Sequence, residues 1–207
     1  MKIVAGKYGG RRLIAPDNSS IRPSSDKVRG AIFNMLDSRG ALDGACVLDA
    51  FCGTGALGLE ALSRGAKSCD FIDVSRKSLA LARTNAESLG VYAGASYSCG
   101  DAKGVLLKRK GCESVQDSPE AYDKGTKKYA HCTDMYNLVF LDPPYHKSFV
   151  TEIIRVLMDA SLLYYGAWVV CETEAGFDGD LFGSFRIDKE KAYGQTKITL
   201  LQFLERT

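Results

Sequence analysis

The sequence predicts an α/β chain built on a doubly wound, mostly parallel sheet of seven strands, with a small β-hairpin and helix appended at the N-terminus. Three observations predict it. From residue 45 onward short strand-like runs alternate with helical segments, and strands spaced by helices pair in parallel. The glycine-rich turn Gly53-Thr54-Gly55-Ala56-Leu57-Gly58 directly follows the first run, where open sheets of this kind place a ligand. The run at 136–141 ends on Asp142-Pro143-Pro144-Tyr145, and two consecutive prolines, lacking N–H groups and fixed in φ, cannot extend a strand.

The elements follow in order. Residues 2–5 and 12–15 read as two arms of a hairpin around Gly9-Gly10, followed by a polar loop with Pro16, Asn18, Ser19, Ser20 and Pro23. Ser24 or Ser25 is placed to cap a helix reaching about Ser38, with Val28, Ile32 and Leu36 at helical spacing. Residues 46–49 form a buried strand, then the glycine turn, then a helix over 56–63. Residues 69–73 are a second strand, 75–89 a helix with Leu79, Ala82, Ala86 and Leu89 on one face, and 95–99 a weaker third strand. Asp101 opens a short helix to about Lys108. Residues 110–134, rich in Gly, Ser, Asp and Lys and without period, are a surface insertion. A helix at 147–160, a strand at 167–171 and a closing hairpin from 183–189 and 196–203 complete the chain, which divides into a basic appendage over 1–40 and a main domain over 41–207.

Composition sets bounds. With 45% hydrophobic and 25% charged residues, the chain has the make-up of one globular domain with an appendage. No apolar run reaches the roughly 18 residues of a membrane span, and the first residues lack a signal-peptide core. The seven cysteines contain no Cys-x-x-Cys pair and only two histidines accompany them, so no metal site is expected. Cys46, Cys69, Cys99 and Cys171 read as small core residues of a protein in a reducing cytoplasm. Net charge is +2, but residues 1–40 hold eight Lys/Arg against three Asp, leaving the remainder slightly acidic. Such a basic end is the footprint of a polyanion partner.

The chemistry concentrates at the strand tips. Gly53, Gly55 and Gly58 match the dinucleotide spacing, and Asp73 lies 20 residues after Gly53. That pattern admits NAD or S-adenosylmethionine. Asp49, just before the turn, decides between them: a carboxylate there repels a pyrophosphate and suits the cationic methionine tail. Asp73 would accept from the ribose hydroxyls and Asp101 from the adenine amine, with Phe51 and Ala102 beside these tips. Asp142 and the Pro143 carbonyl can accept from the exocyclic amine of a planar base, while Tyr145 stacks on its face.

Four stretches carry a family likeness: Ala5 through Leu13; Arg22-Pro23-Ser24-Ser25-Asp26-Lys27-Val28-Arg29; Val47 through Ala66; and Phe140 through Tyr145, with a weaker echo at Tyr193-Gly194-Gln195-Thr196. In these the chain resembles the bacterial 16S rRNA guanine-N2 methyltransferases (RsmD-like), within the amino-methyltransferases bearing an Asp-Pro-Pro-Tyr motif. The resemblance implies a Rossmann-like class I methyltransferase fold and methyl transfer to one guanine N2 of 16S rRNA, within the small ribosomal subunit or its assembly intermediate, by a monomeric enzyme. Lys7, Arg11, Arg12, Arg22, Lys27 and Arg29 are the candidate phosphate contacts. The rival readings are a DNA adenine-N6 or cytosine-N4 methyltransferase, for which 207 residues leave little room for a sequence-reading domain, a non-catalytic RNA-binding assembly factor, and, last, an NAD oxidoreductase.

Overall fold

The computed structural model describes residues 1–15, 26–109, 122–123, 128–129, 135–143, 147–174 and 183–204. The chain divides into two compact units, Met1–Asp101 and Ala102–Thr207, and its long strands form a seven-stranded mixed sheet. A separate two-stranded pair, β4 (Tyr122–Asp123) and β5 (Lys128–Tyr129), lies within the segment 110–134 read as a surface insertion.

The first unit holds three parallel strands in the order β3-β2-β1: β1 (Cys46–Asp49), β2 (Ser68–Asp73) and β3 (Ala95–Cys99). Helices α2 (Ala56–Ser63) and α3 (Arg76–Leu89) make the crossovers. Gly55 caps α2 in the left-handed region at φ 77°, which an L side chain rarely adopts. Gly58 is required for a different reason. A Cβ there would lie 2.4 Å from the Phe71 ring and 2.5 Å from the Cys69 sulfur, so the helix packs directly on β2. Ser75 caps α3 by accepting from the Ser78 N–H, and Leu79, Ala82, Ala86 and Leu89 are buried along its inner face. Cys99 and Cys46 depart from the core assignment, being exposed and half-buried respectively, while Cys69 and Cys171 are buried. The exposure of Cys99 follows from its place on β3, the outermost strand of this unit.

Helix α1 (Asp26–Asp37) buries Ile32, Phe33 and Leu36, and the serines expected to cap it lie outside the described residues. The N-terminal arms pair antiparallel as the expected short hairpin, bridged between Lys2 and Arg12, with the Ile3 N–H donating to the Arg11 carbonyl and the Leu13 N–H to the Met1 carbonyl. They are bound tightly to α2. Glu60, fully buried, accepts from the Val4 and Ala5 N–H groups at 2.6 and 3.0 Å. Ser63 accepts from the Lys7 N–H through its carbonyl and from the Tyr8 N–H through its hydroxyl, and it donates to the Ala5 carbonyl.

In the second unit the strand order is β6-β7-β9-β8: β6 (Tyr136–Leu141), β7 (Leu163–Glu174), β8 (Phe185–Tyr193) and β9 (Thr196–Phe203). β6 and β7 run parallel, and β9 returns antiparallel between β7 and β8. β7 extends well beyond the expected 167–171 because Leu163 already pairs with Tyr136 before an irregularity in the ladder. α4 (Ala102–Leu106) is shorter than expected. α5 (Lys147–Asp159) buries Val150, Ile153, Ile154 and Leu157, the spacing of an amphipathic helix face. No helix among the described residues is long and apolar enough to cross a membrane.

Candidate active site

In the first unit two carboxylates stand at adjacent strand ends. Asp49 closes β1 and is 2% exposed; one of its oxygens accepts from the Gly58 N–H at 3.0 Å, inside α2. Burial pushes its carboxyl up to about 7, with the neighbouring charge of Asp73 adding to the rise and the Gly58 hydrogen bond opposing it. Asp73 closes β2. Its two oxygens accept from the Gly53 N–H at 2.9 Å and the Ser75 N–H at 2.8 Å, so one side chain ties the glycine turn to the next loop. The turn is fastened further by the Cys52 N–H donating to the Ile72 carbonyl. Phe51 and Gly53 are half-buried on it, and the Gly100 N–H donates to the Asp73 carbonyl, which brings the end of β3 alongside. Asp101 is exposed after that end, and Ala102 is buried as the first residue of α4.

This donor set suits a cationic ligand. No cation among the described residues pairs with Asp49, although it is buried, and the charge that acts on it is a second carboxylate, Asp73. Burial holds such a carboxyl in its neutral form up to about neutrality, and positive charge beside it favours the ionised form. An ammonium and a sulfonium supply that charge; a pyrophosphate does not. The residues present therefore fit S-adenosylmethionine and oppose NAD.

Two residues at this site escaped the sequence reading. Val74, directly after Asp73, is 70% exposed, an apolar side chain standing free at a strand tip. Its signal was an aliphatic residue following an acidic strand end. Asn85 is fully buried in α3; its amide donates to the Thr54 carbonyl at 3.0 Å and the Ile14 carbonyl at 3.2 Å, and its oxygen accepts from the Ile14 N–H. It pins the glycine turn and the N-terminal segment together, and its signal was an amide among the apolar positions of α3.

In the second unit Asp142 and Pro143 follow β6 immediately and are half-buried, so the strand stops where the prolines require. Tyr145 lies outside the described residues. Among the described residues no cluster of His, Cys, Asp and Glu is arranged to hold a metal.

The basic candidates separate. Lys7, Arg12 and Lys27 are exposed, and the Lys7 ammonium lies 5.2 Å from the Tyr8 ring centre. Arg11 is exposed but donates to the Leu89 and Ser88 carbonyls, capping the C-terminus of α3. Arg22 lies outside the described residues. Arg29 corrects the expectation: it is 1% exposed, donates to Asp26 at 2.8 Å and to the Lys2 carbonyl, and sits 3.8 Å from Glu60. Its charge is spent inside the protein, leaving none for a phosphate.

The model of the family described as "Conserved hypothetical protein 95" matches residues 1–202. The chain belongs to this family, the RsmD-like methyltransferases. An "Uncharacterized methylase RP545" of Rickettsia prowazekii is 30% identical over 98% of both chains. The "Ribosomal RNA small subunit methyltransferase D" of Escherichia coli K12 is 31% identical, covering 98% of this chain and 89% of its own. Among solved structures, the putative methyltransferase yhhF from Escherichia coli superposes with TM-score 0.80 at 28% identity, covering 100% of this chain and 99% of that one. A Salinibacter ruber RNA methyltransferase, solved with S-adenosyl-L-homocysteine, shares the fold at TM-score 0.60 and 16% identity, with 90% and 96% coverage. The α/β architecture expected from the sequence is thus that of this Rossmann-like methyltransferase group.

Proposed function

We propose that this chain transfers a methyl group from S-adenosylmethionine to the exocyclic N2 amine of a guanine in 16S rRNA, as a cytoplasmic monomer acting on the small ribosomal subunit or its assembly intermediate. Family membership supports the broad class, an rRNA methyltransferase that uses S-adenosylmethionine. The observation that carries the acceptor chemistry is the strand β6 that stops on Asp142-Pro143.

Bound S-adenosylmethionine supplies an electrophilic methyl group. In the first unit Asp49 and Asp73 supply the negative charge and hydrogen-bond acceptors that hold it, on a turn kept in place by Gly53, Gly55 and Asn85. In the second, the Asp142 carboxylate and the Pro143 carbonyl accept from the two N–H bonds of the amine. That fixes a nitrogen whose lone pair is otherwise delocalised into the ring. Asp142 stabilises positive charge as it grows on this nitrogen, and the proton leaves afterwards because the product cation is acidic. Positioning of this kind supplies about 7–11 kcal/mol in well-aligned systems. Tyr145 clamps the unstacked base, and Lys7, Arg11, Arg12, Arg22 and Lys27 contact phosphates, which orient without reading sequence.

The test is to map methylated bases in 16S rRNA from cells lacking this protein and to restore them with the purified chain. We expect one N2-methylguanine to be missing and restored. A complete set of rRNA methyl groups in those cells, or a methyl group lost from DNA instead, rejects the proposal.

A further inference from the structure

We propose that the groove between α3 and the outer strand β3 binds a single-stranded segment of the RNA substrate through Arg76 and Arg83, an inference that rests on the rRNA reading above. The groove has a volume of about 310 Å³ and is lined by Arg76, Leu79, Ala80, Arg83, Tyr97 and Cys99. Its floor is a ladder of planar groups. The buried Phe71 ring stacks on Tyr97 at 5.2 Å with 12° between planes, and the Arg83 guanidinium lies 4.8 Å from the Tyr97 ring centre. The outermost rung is an exposed guanidinium, the group on which an unpaired base stacks while its N–H fork takes a phosphate.

Apart from the contact of Arg83 with the Tyr97 ring, the guanidinium charges of this face are not taken up by the described residues. Neither Arg76 nor Arg83 forms an ion pair or hydrogen bond with the described residues. α3 begins with Arg76 and Lys77, has no acidic residue in its first turn and no basic one in its last. That order opposes the helix dipole. At its other end the helix borrows the cation it lacks, Arg11, from the N-terminal segment. A cation placed against the dipole at Arg76, with a second guanidinium on the same face at Arg83 and neither ion-paired with the described residues, suits an anionic partner. Arg76 and Arg83 are seven residues apart on one helix face, about 10 Å at 1.5 Å per residue, a span for a strand rather than a lone phosphate. Cys99 pairs with Asp73 in the ladder, so the groove starts level with the carboxylate assigned to the cofactor and leads away from it along the sheet margin. A peptide adding to the open edge of β3 is the alternative occupant, but it would not need two guanidinium groups on the α3 side.

The experiment compares wild type, R83K and the R76E/R83E double variant. It measures binding of an in vitro transcribed 16S rRNA fragment across salt concentrations, binding of purified small ribosomal subunits, S-adenosylmethionine affinity and Tm. The double variant should bind the fragment about five- to hundredfold more weakly, with the log K against log salt slope reduced by about 2. R83K, which keeps the charge and loses the plane, should keep the slope and lose affinity. Tm and cofactor affinity should stay at the wild-type values in both. Unchanged fragment affinity and slope in a folded double variant overturns the proposal, and so does a loss confined to intact subunits, which assigns the groove to a protein. If the wild type itself neither binds nor methylates rRNA, the underlying reading has failed; if it does both and the variants match it, only the groove has.

Discussion

Asp49→Asn tests the electrostatic design of the glycine-turn site. The substitution keeps shape and an oxygen acceptor for the Gly58 N–H and removes the charge. The folded carboxyl titrates at about 7 against an ordinary value of 3.8, which corresponds to about 4 kcal/mol of unfavourable charging in the ligand-free chain. Because the folded chain holds this proton more tightly than the unfolded chain, the carboxyl's contribution to stability is complete below pH 3.8. It is lost as pH rises through about 7. The asparagine amide, left without an acceptor, costs about 1–3 kcal/mol of that relief. At pH 8 the variant should therefore be more stable than wild type by about 1–3 kcal/mol, a Tm increase of about 2–4 °C per kcal/mol, with the difference gone near pH 5. Cofactor binding should move oppositely. Wild-type affinity for S-adenosylmethionine should rise about tenfold per pH unit up to about 7 and then level, with proton release on binding; the variant should bind weakly and without this dependence. The assays are thermal melts from pH 5 to 9 and calorimetry in two buffers of different ionisation enthalpy. A wild-type affinity flat between pH 5.5 and 8, or an Asn variant with wild-type affinity, refutes the reasoning.

Asp142→Ala should abolish turnover and leave S-adenosylmethionine affinity intact; a labelled methyl-transfer assay and calorimetry decide it, and wild-type-like turnover rejects the assignment. Gly58→Ala should destabilise the fold by about 1–3 kcal/mol, because its methyl group would meet Phe71 at 2.4 Å and Cys69 at 2.5 Å; denaturant midpoints check this, and an unchanged midpoint contradicts it. Glu60→Ala removes the carboxylate from beside the buried Arg29 and should cost about 3–5 kcal/mol, read by chemical denaturation, with a loss under 1 kcal/mol counting against the buried network.

Periodicity and punctuation made most of the fold legible. The limits of β1, α2, β3 and β6 follow from where apolar runs meet Gly, Pro and Asp, and those boundaries coincide with the observed ones. The sequence shows only part of β7, because Tyr164, Tyr165 and Gly166 interrupt the apolar run while the strand continues through them. At the site, Asp49 and Asp73 were readable because a strand tip is a fixed address. What they grip was not: Asp73 holds the Gly53 N–H and Asp49 the Gly58 N–H, contacts that depend on three-dimensional closure. Arg29 misled because composition counts charges without seeing which side chains turn inward. It lies on the buried face of α1 with Ile32, Phe33 and Leu36, a position the helical period itself marks as internal. Arg83 carries no signal in the sequence, because its meaning comes from Tyr97, on a neighbouring element.

The binding of the first residues to α2 changes what a truncation would measure. Removing residues 1–8 takes two backbone donors from a carboxylate with no solvent, strips Ser63 of its acceptor and both of its donors, and deprives the buried Arg29 guanidinium of the Lys2 carbonyl it donates to. A shortened chain would therefore lose structural integrity together with any grip on nucleic acid. Charge reversal at Arg12 or Lys27, which leaves the anchoring backbone in place, separates those two losses; deletion merges them.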